Sequence, residues 1–157
     1  MDTVFEVVKP LLYRVKKNGD KALREYTRMF YKIEVGNFEV DEREIKEACE
    51  KVEPGLKKAF EQAARNIEKF HKAQIERPVV IETMPGVSCY REMRGIERVG
   101  IYIPGGTAPL ASTVLMLGIP AKLAGCREIV MCTPMDRDGK IPDVVLYAAW
   151  LVGIKMI

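Results

Sequence analysis

An α/β fold is predicted by three features of this 157-residue chain. Apolar residues recur at helical spacing as far as Pro78, the period turns extended at Val79, and from Val99 onward short β-branched runs alternate with longer apolar ones. Strands are therefore expected to start near residues 99, 128 and 154 with a helix between each pair, the pattern of a βαβαβ half of a doubly wound sheet with right-handed crossovers. The architecture expected is an N-terminal helical arm and β-hairpin followed by an incomplete Rossmann-like βαβαβ unit. Its divisions are a helical region over 1–78, a hairpin and connection over 79–98, and the incomplete Rossmann-like domain over 99–157, cut at its third strand.

In the first helix Phe5, Val8, Leu11, Leu12 and Val15 share a face. Pro10 removes a backbone donor inside that pattern, which predicts a kink or a later start, and Asn18-Gly19 supplies the left-handed residue that ends it. Asp20 is placed to cap a second helix with Leu23, Tyr26 and Phe30 inward, so the two form a helical hairpin. Gly36-Asn37 reads as a turn, with Phe38 to Val40 briefly paired. Asp41 and Glu44 have the spacing of a capping box, and Ile45, Ala48, Cys49 and Val52 follow at helical spacing, which makes Cys49 a packing residue. Pro54 suits the first turn of a long helix whose stripe is Leu56, Phe60, Ala63, Ile67, Phe70 and Gln74. His71, the one histidine, falls just past that stripe beside Lys72 and reads as a surface or boundary residue in preference to a metal ligand or base.

In the second half, Val79 to Glu82 and Val87 to Arg91 flank Thr83-Met-Pro-Gly86, an antiparallel hairpin whose buried face the alternation does not settle. Val99 to Ile103 is a strand stopped by Pro104, and Gly105-Gly106 turns the chain into a helix that runs to Gly125. Glu128 to Thr133 is a second strand ended by Pro134. Asp136 to Gly139 is a polar loop, and Pro142 opens a helix with Val145, Leu146, Ala149 and Val152 inward, ended by Gly153. Ile154 to Ile157 opens a third strand. A sheet left there lacks cover and edge protection, so the sequence reads as a cut chain whose edge needs a partner segment, a second copy or distortion.

Composition narrows the function. A net charge of +3, with basic and acidic residues interleaved, gives no nucleic-acid surface, and solvated helix faces account for it. About two thirds of the charged residues lie at or before Pro78, so a solvent-facing first half is expected to meet a more buried second half. Cys49, Cys89, Cys126 and Cys132 form no C-x-x-C pair, and a chain that opens Met1-Asp2-Thr3 shows no leader, so reduced thiols in a cytoplasmic protein are expected. No membrane is implied, because the apolar stretch 109–124 is broken by Pro120 and Lys122.

Chemistry concentrates at the turn after the first strand of the βα unit. Gly105 and Gly106 carry no Cβ, so the backbone there can approach a phosphate or a ring, and they equally make a plain tight turn. The fingerprint G-x-G-x-x-G is absent, so the glycines alone do not establish a nucleotide site. A single histidine far along the chain from Ser112, Cys126 and Cys132 supplies neither a nucleophile's base nor a catalytic zinc site. No complete catalytic set is visible.

The wording of the central segment says more than its pattern. V-G-I-Y-I-P-G-G-T-A-P-L, then S-T-V-L-M-L-G-I-P-A-K-L-A-G-C and V-M-C-T-P, resembles the amino-terminal half of the histidinol dehydrogenase family. The upstream segments beginning at Asn18 (N-G-D-K-A-L-R-E-Y) and Asn66 (N-I-E-K-F-H) fit the same family in the same order, so the resemblance covers nearly the whole chain. It implies a cytoplasmic, zinc-containing, NAD-dependent oxidoreductase of histidine biosynthesis, which oxidises L-histidinol through histidinal to L-histidine with two NAD. It also implies a homodimer whose active sites draw on both subunits.

The resemblance maps Tyr102 onto the family's NAD-contacting tyrosine, with Pro104 and Gly105 beside it as cofactor-binding residues. It maps no catalytic residue and no metal ligand here, since the zinc ligands and the glutamate and histidine that handle protons fall after the point where this sequence stops. Two departures are minor: Tyr31 stands where the family often has an aspartate, and the loop from Asp136 to Gly139 is one of its variable places. The expectation is therefore an inactive part that needs the missing C-terminal half or a homo-oligomeric partner. The alternatives are a non-catalytic nucleotide-binding or dimerisation module derived from that family, and a thiol activity at Cys126 or Cys132.

Overall fold

The computed structural model describes residues 2–105, 108–136 and 138–157. Gly106 of the glycine turn, Thr107 of the same motif, Arg137 of the polar loop and Met1 lie outside the described residues. The chain is an α/β protein with the elements, in order, α1 (Asp2–Asn18), α2 (Asp20–Tyr31), α3 (Glu42–Lys51), α4 (Pro54–Lys72), β1 (Val79–Met84), β2 (Val87–Arg91), β3 (Arg98–Tyr102), α5 (Ala111–Leu123), β4 (Glu128–Cys132) and α6 (Asp143–Val152). It divides into two compact units, one of residues 1–38 with 137–140 and one of residues 39–136 with 141–157.

The first unit is the expected helical hairpin. Helix α1 runs through Pro10 from Asp2, so the proline causes no later start. Gly19 makes the joint at a φ of 55° and donates its N–H to the Val15 carbonyl at 2.8 Å. Asp20 is the first helical residue of α2 and not its cap: Gly19 holds the cap position, and the Asp20 carboxylate acts there through its charge in the first turn. Lys32 ends α2 in the left-handed region, φ 62°, with its N–H on the Arg28 carbonyl at 3.1 Å. The Arg24 guanidinium then collects the next segment, donating to the carbonyls of Val35 and Gly36 and lying 5.2 Å from the Phe38 ring. Among the described residues of this unit only Ala22 is fully buried, and Phe5, Leu12 and Phe30 stay exposed.

In the second unit local sequence sets the helix ends. Asp41 accepts from the Glu44 N–H at 2.7 Å and starts α3, and Glu53 accepts from Gly55 and Leu56 at 3.0 Å each and starts α4 with Pro54 at its first position. The left-handed Gly153 ends α6, and the Ile154 N–H caps the Ala149 carbonyl at 2.9 Å. Strands β3 and β4 pair in parallel, with Ile101 opposite Met131 and Tyr102 opposite Cys132. Helices α5 and α6 pack on the face that carries Ile101 and Met131, and Ile103 and Val114 complete an apolar core there. Gly118 permits the close approach of the two helices, since a Cβ on it would lie 2.9 Å from Val152 Cγ2.

The third strand is shorter than expected. Because Ile154 is still committed to the cap of α6, pairing begins only at Met156, which forms a single parallel bridge with Val130 and accepts from the Met131 N–H at 2.9 Å. On its other side the Ile157 carbonyl accepts from Val40 at 3.0 Å, the brief pairing expected of residues 38–40. The hairpin β1–β2 turns at Gly86, φ 82°, and pairs Val80 with Tyr90 and Ile81 with Cys89, but both of its faces are exposed.

Candidate functional site

Parallel strands joined by helices leave a crevice beyond their carboxyl ends, and that is where β3 and β4 bring their following turns together. A shallow cavity of about 110 Å³ lies there, lined by Pro104, Gly105 and Leu110 after β3 and by Pro134, Asp136 and Pro142 after β4. Gly105 is required for this approach. A Cβ on it would stand 2.5 Å from Pro134 Cγ, well inside contact distance, so the two turns touch only because position 105 has no side chain.

Both helices that follow begin at this cavity. Leu110 is the N-cap of α5 and Pro142 the N-cap of α6, and neither makes a side-chain cap hydrogen bond. The Thr113 and Val145 N–H groups donate to the carbonyls of Leu110 and Pro142, and the earlier first-turn amides lack the side-chain acceptor that α3 and α4 possess. Helix α6 carries Asp143 in its first turn, so the positive end is uncompensated only at α5. The start of α5 is the end that suits an anion.

Tyr102 ends β3 with 62% of its surface exposed. Its ring leaves the sheet on the face opposite Ile101 and Ile103, beside exposed Cys132, and it is not part of the cavity wall. Of the three residues mapped by resemblance, then, Pro104 and Gly105 line the cavity and Tyr102 does not. Pro134 and Asp136 were not singled out from sequence as site residues. The available signal was an acidic residue shortly after the second strand of a βαβ unit, which is read only once the two strands are known to be neighbours.

The remaining candidates are placed elsewhere. His71 is half-buried at the end of α4, with Nδ1 2.7 Å from Gln74 Oε1, in the wall of a separate cavity of about 270 Å³ that also includes Glu76, Arg94 and Gly95. No group of three or more His, Cys, Asp or Glu side chains able to hold a metal occurs among the described residues. All four cysteines are free. Burial pushes the Cys49 thiol up, against a smaller opposing pull from Lys57, as packing in the core requires. No helix among the described residues is long and apolar enough to cross a membrane.

Comparison with known proteins bears out the resemblance. A family model described as histidinol dehydrogenase matches residues 1–157. The histidinol dehydrogenase of Bacteroides fragilis is 48% identical over 156 residues, covering 99% of this chain and 36% of the relative, and that of Xylella fastidiosa is 47% identical over 152 residues, covering 97% and 35%. The crystal structure of histidinol dehydrogenase from Elizabethkingia anophelis superposes with a TM-score of 0.92 at 51% identity, over 96% of this chain and 35% of that one. The chain spans about a third of the length of the curated relatives it matches. Agreement along the whole of its own length, in sequence and in fold, makes it a member of the histidinol dehydrogenase family.

Proposed function

We propose that this chain supplies the dinucleotide side of an enzyme that oxidises L-histidinol to L-histidine with two NAD, and that by itself it binds nucleotide without turnover. The observation that carries the reading is the crevice at the ends of β3 and β4, where Gly105 removes the steric barrier and the N-terminus of α5, without a side-chain cap, faces the same cavity. NAD, when bound, accepts the hydride. In that arrangement the amides that open α5 receive the pyrophosphate, the Gly105 backbone admits it closely, and Pro104 and the Tyr102 ring border the route from the crevice along the open sheet face. The family's zinc would be held by residues of the remainder of the enzyme.

Binding of NAD to the folded state raises the melting temperature by mass action. The purified chain is therefore expected to show a rise that grows with NAD concentration, to lose most of it in Tyr102→Ala, and to give no NADH from histidinol with zinc present. Absence of any NAD-dependent shift overturns the nucleotide assignment, and zinc-dependent NADH formation above a blank overturns the assignment of inactivity. A non-catalytic module descended from the family shares the crevice. It would differ in gaining no activity when mixed with the rest of a family enzyme.

A further inference from the structure

We propose that the groove between α3 and the end of α6 binds a planar aromatic monocarboxylate, its ring against Trp150 and its carboxylate paired with Lys46 and Lys155. The groove is a cavity of about 270 Å³ lined by Glu42, Ile45 and Lys46 of α3 and by Trp150, Ile154 and Lys155 at the end of α6. It lies apart from the crevice at the strand ends. Helix α6 opens on that crevice at Pro142 and ends here at Gly153, its 10 residues spanning roughly 15 Å. The site therefore stands independently of the nucleotide reading.

The walls match both halves of such a ligand. Ile45 and Ile154 are buried and give the groove an apolar floor. Trp150 is stacked on Tyr147, ring centroids 5.9 Å apart and planes 29° from parallel, and Phe60 meets Tyr147 edge-on at 6.1 Å. Trp150 nevertheless keeps 53% of its surface exposed, so an aromatic platform is held in place and still open to another ring. The polar groups are cationic in balance. Neither Lys46 nor Lys155 forms an ion pair among the described residues, and both line the groove with Glu42. Two lysines against one glutamate leave a single positive charge, which matches a monocarboxylate and leaves a phosphate dianion undercompensated. The carbonyls of Ala149 and Trp150 at the end of α6 already accept from Ile154 and Gly153, at 2.9 and 3.0 Å, and so need no donor from the ligand.

Trp150 is the one tryptophan of the chain, so its emission reports on this groove alone. Titration of the purified chain with cinnamate, followed by calorimetry and by Trp150 emission, tests the site. Cinnamate is expected to bind and to change the emission with the same midpoint, and NAD is expected not to displace it. Cinnamyl alcohol is expected to bind about tenfold more weakly for want of the charge, and cyclohexanecarboxylate about threefold more weakly for want of the stacked ring. Lys46→Gln and Lys155→Gln are each expected to weaken cinnamate by about three- to fivefold, on the scale of exposed ion pairs. Glu42→Gln is expected to strengthen it by about twofold, a gain that damage to the fold does not produce. Absence of cinnamate binding, equal affinity for cinnamyl alcohol, an unchanged Trp150 emission, undiminished binding in both lysine variants or displacement by NAD overturns the proposal. So does a Trp150 emission that shifts with the concentration of the chain as it elutes as a dimer, because a second copy then fills the groove.

Discussion

Gly105 shows how one atom decides whether a crevice exists. Its neighbour across the strand ends is a proline ring, whose Cγ can shift only by a change of pucker, so the 2.5 Å separation of an added Cβ is relieved by repuckering together with a movement of the turn. Gly105→Ala is expected to destabilise the second unit by about 1–3 kcal/mol, as overpacking does, and to abolish the NAD-dependent rise in melting temperature. Tyr102→Ala, at an exposed strand end, is expected to change stability by no more than about 0.5 kcal/mol. Both variants are expected to lose the NAD-dependent rise, so thermal denaturation without NAD, where only Gly105→Ala is markedly less stable, separates a position that builds the crevice from one that only borders it. From sequence, Gly105 could be read either as a turn residue or as a place of close approach, because the identity of the atom it approaches, Pro134 Cγ, is set by pairing between residues about thirty apart.

At the scale of elements, the ends that depend on adjacent residues were the legible ones. Asp41, Pro54, Gly125 and Gly153 each act through a hydrogen bond or a backbone angle within a few residues of themselves, and each stands where local chemistry put it. Asp41→Ala is expected to cost about 1 kcal/mol by freeing the Glu44 N–H, while Asp41→Asn or Asp41→Ser retains most of the stability. Urea denaturation followed by circular dichroism measures the difference. Elements that depend on distant partners were less legible. The third strand shrinks to one bridge because the α6 cap holds Ile154, and the hairpin β1–β2 has no buried face for its alternation to report. Asp20 was misplaced by one position for a local reason: Gly19 already satisfies the geometry of the joint.

Across the whole molecule, burial is concentrated in few places. The largest fully buried side chains of the second unit, Ile103, Leu115, Met131, Leu146 and Val114, lie on or directly after β3, on β4, and on α5 and α6. The first unit buries Ala22 and little else among its described residues, and β1–β2 is exposed along both strands. Two-stranded hairpins without cover are marginal in water, and local opening free energies follow buried contacts. Amide hydrogen exchange is expected to be slowest in β4, α5 and α6 and fastest in β1–β2 and α1. Strong protection of the hairpin in the purified chain would show that it is covered in solution, and size-exclusion chromatography would then identify a second copy as the cover. The resemblance made the family legible over the full sequence, but the uneven burial was not, since a hydrophobic residue at helical spacing such as Phe5 or Leu12 looks alike whether or not something lies against it.

The contact between Gly105 and Pro134 also governs how a guest is received. A pocket edged by long side chains can shrink around whatever enters, and it spends their freedom in doing so. Here backbone meets an imino-acid ring at one point of the wall, so little side-chain freedom is lost at that point, whereas Leu110 and Met135 elsewhere in the wall still have theirs to lose.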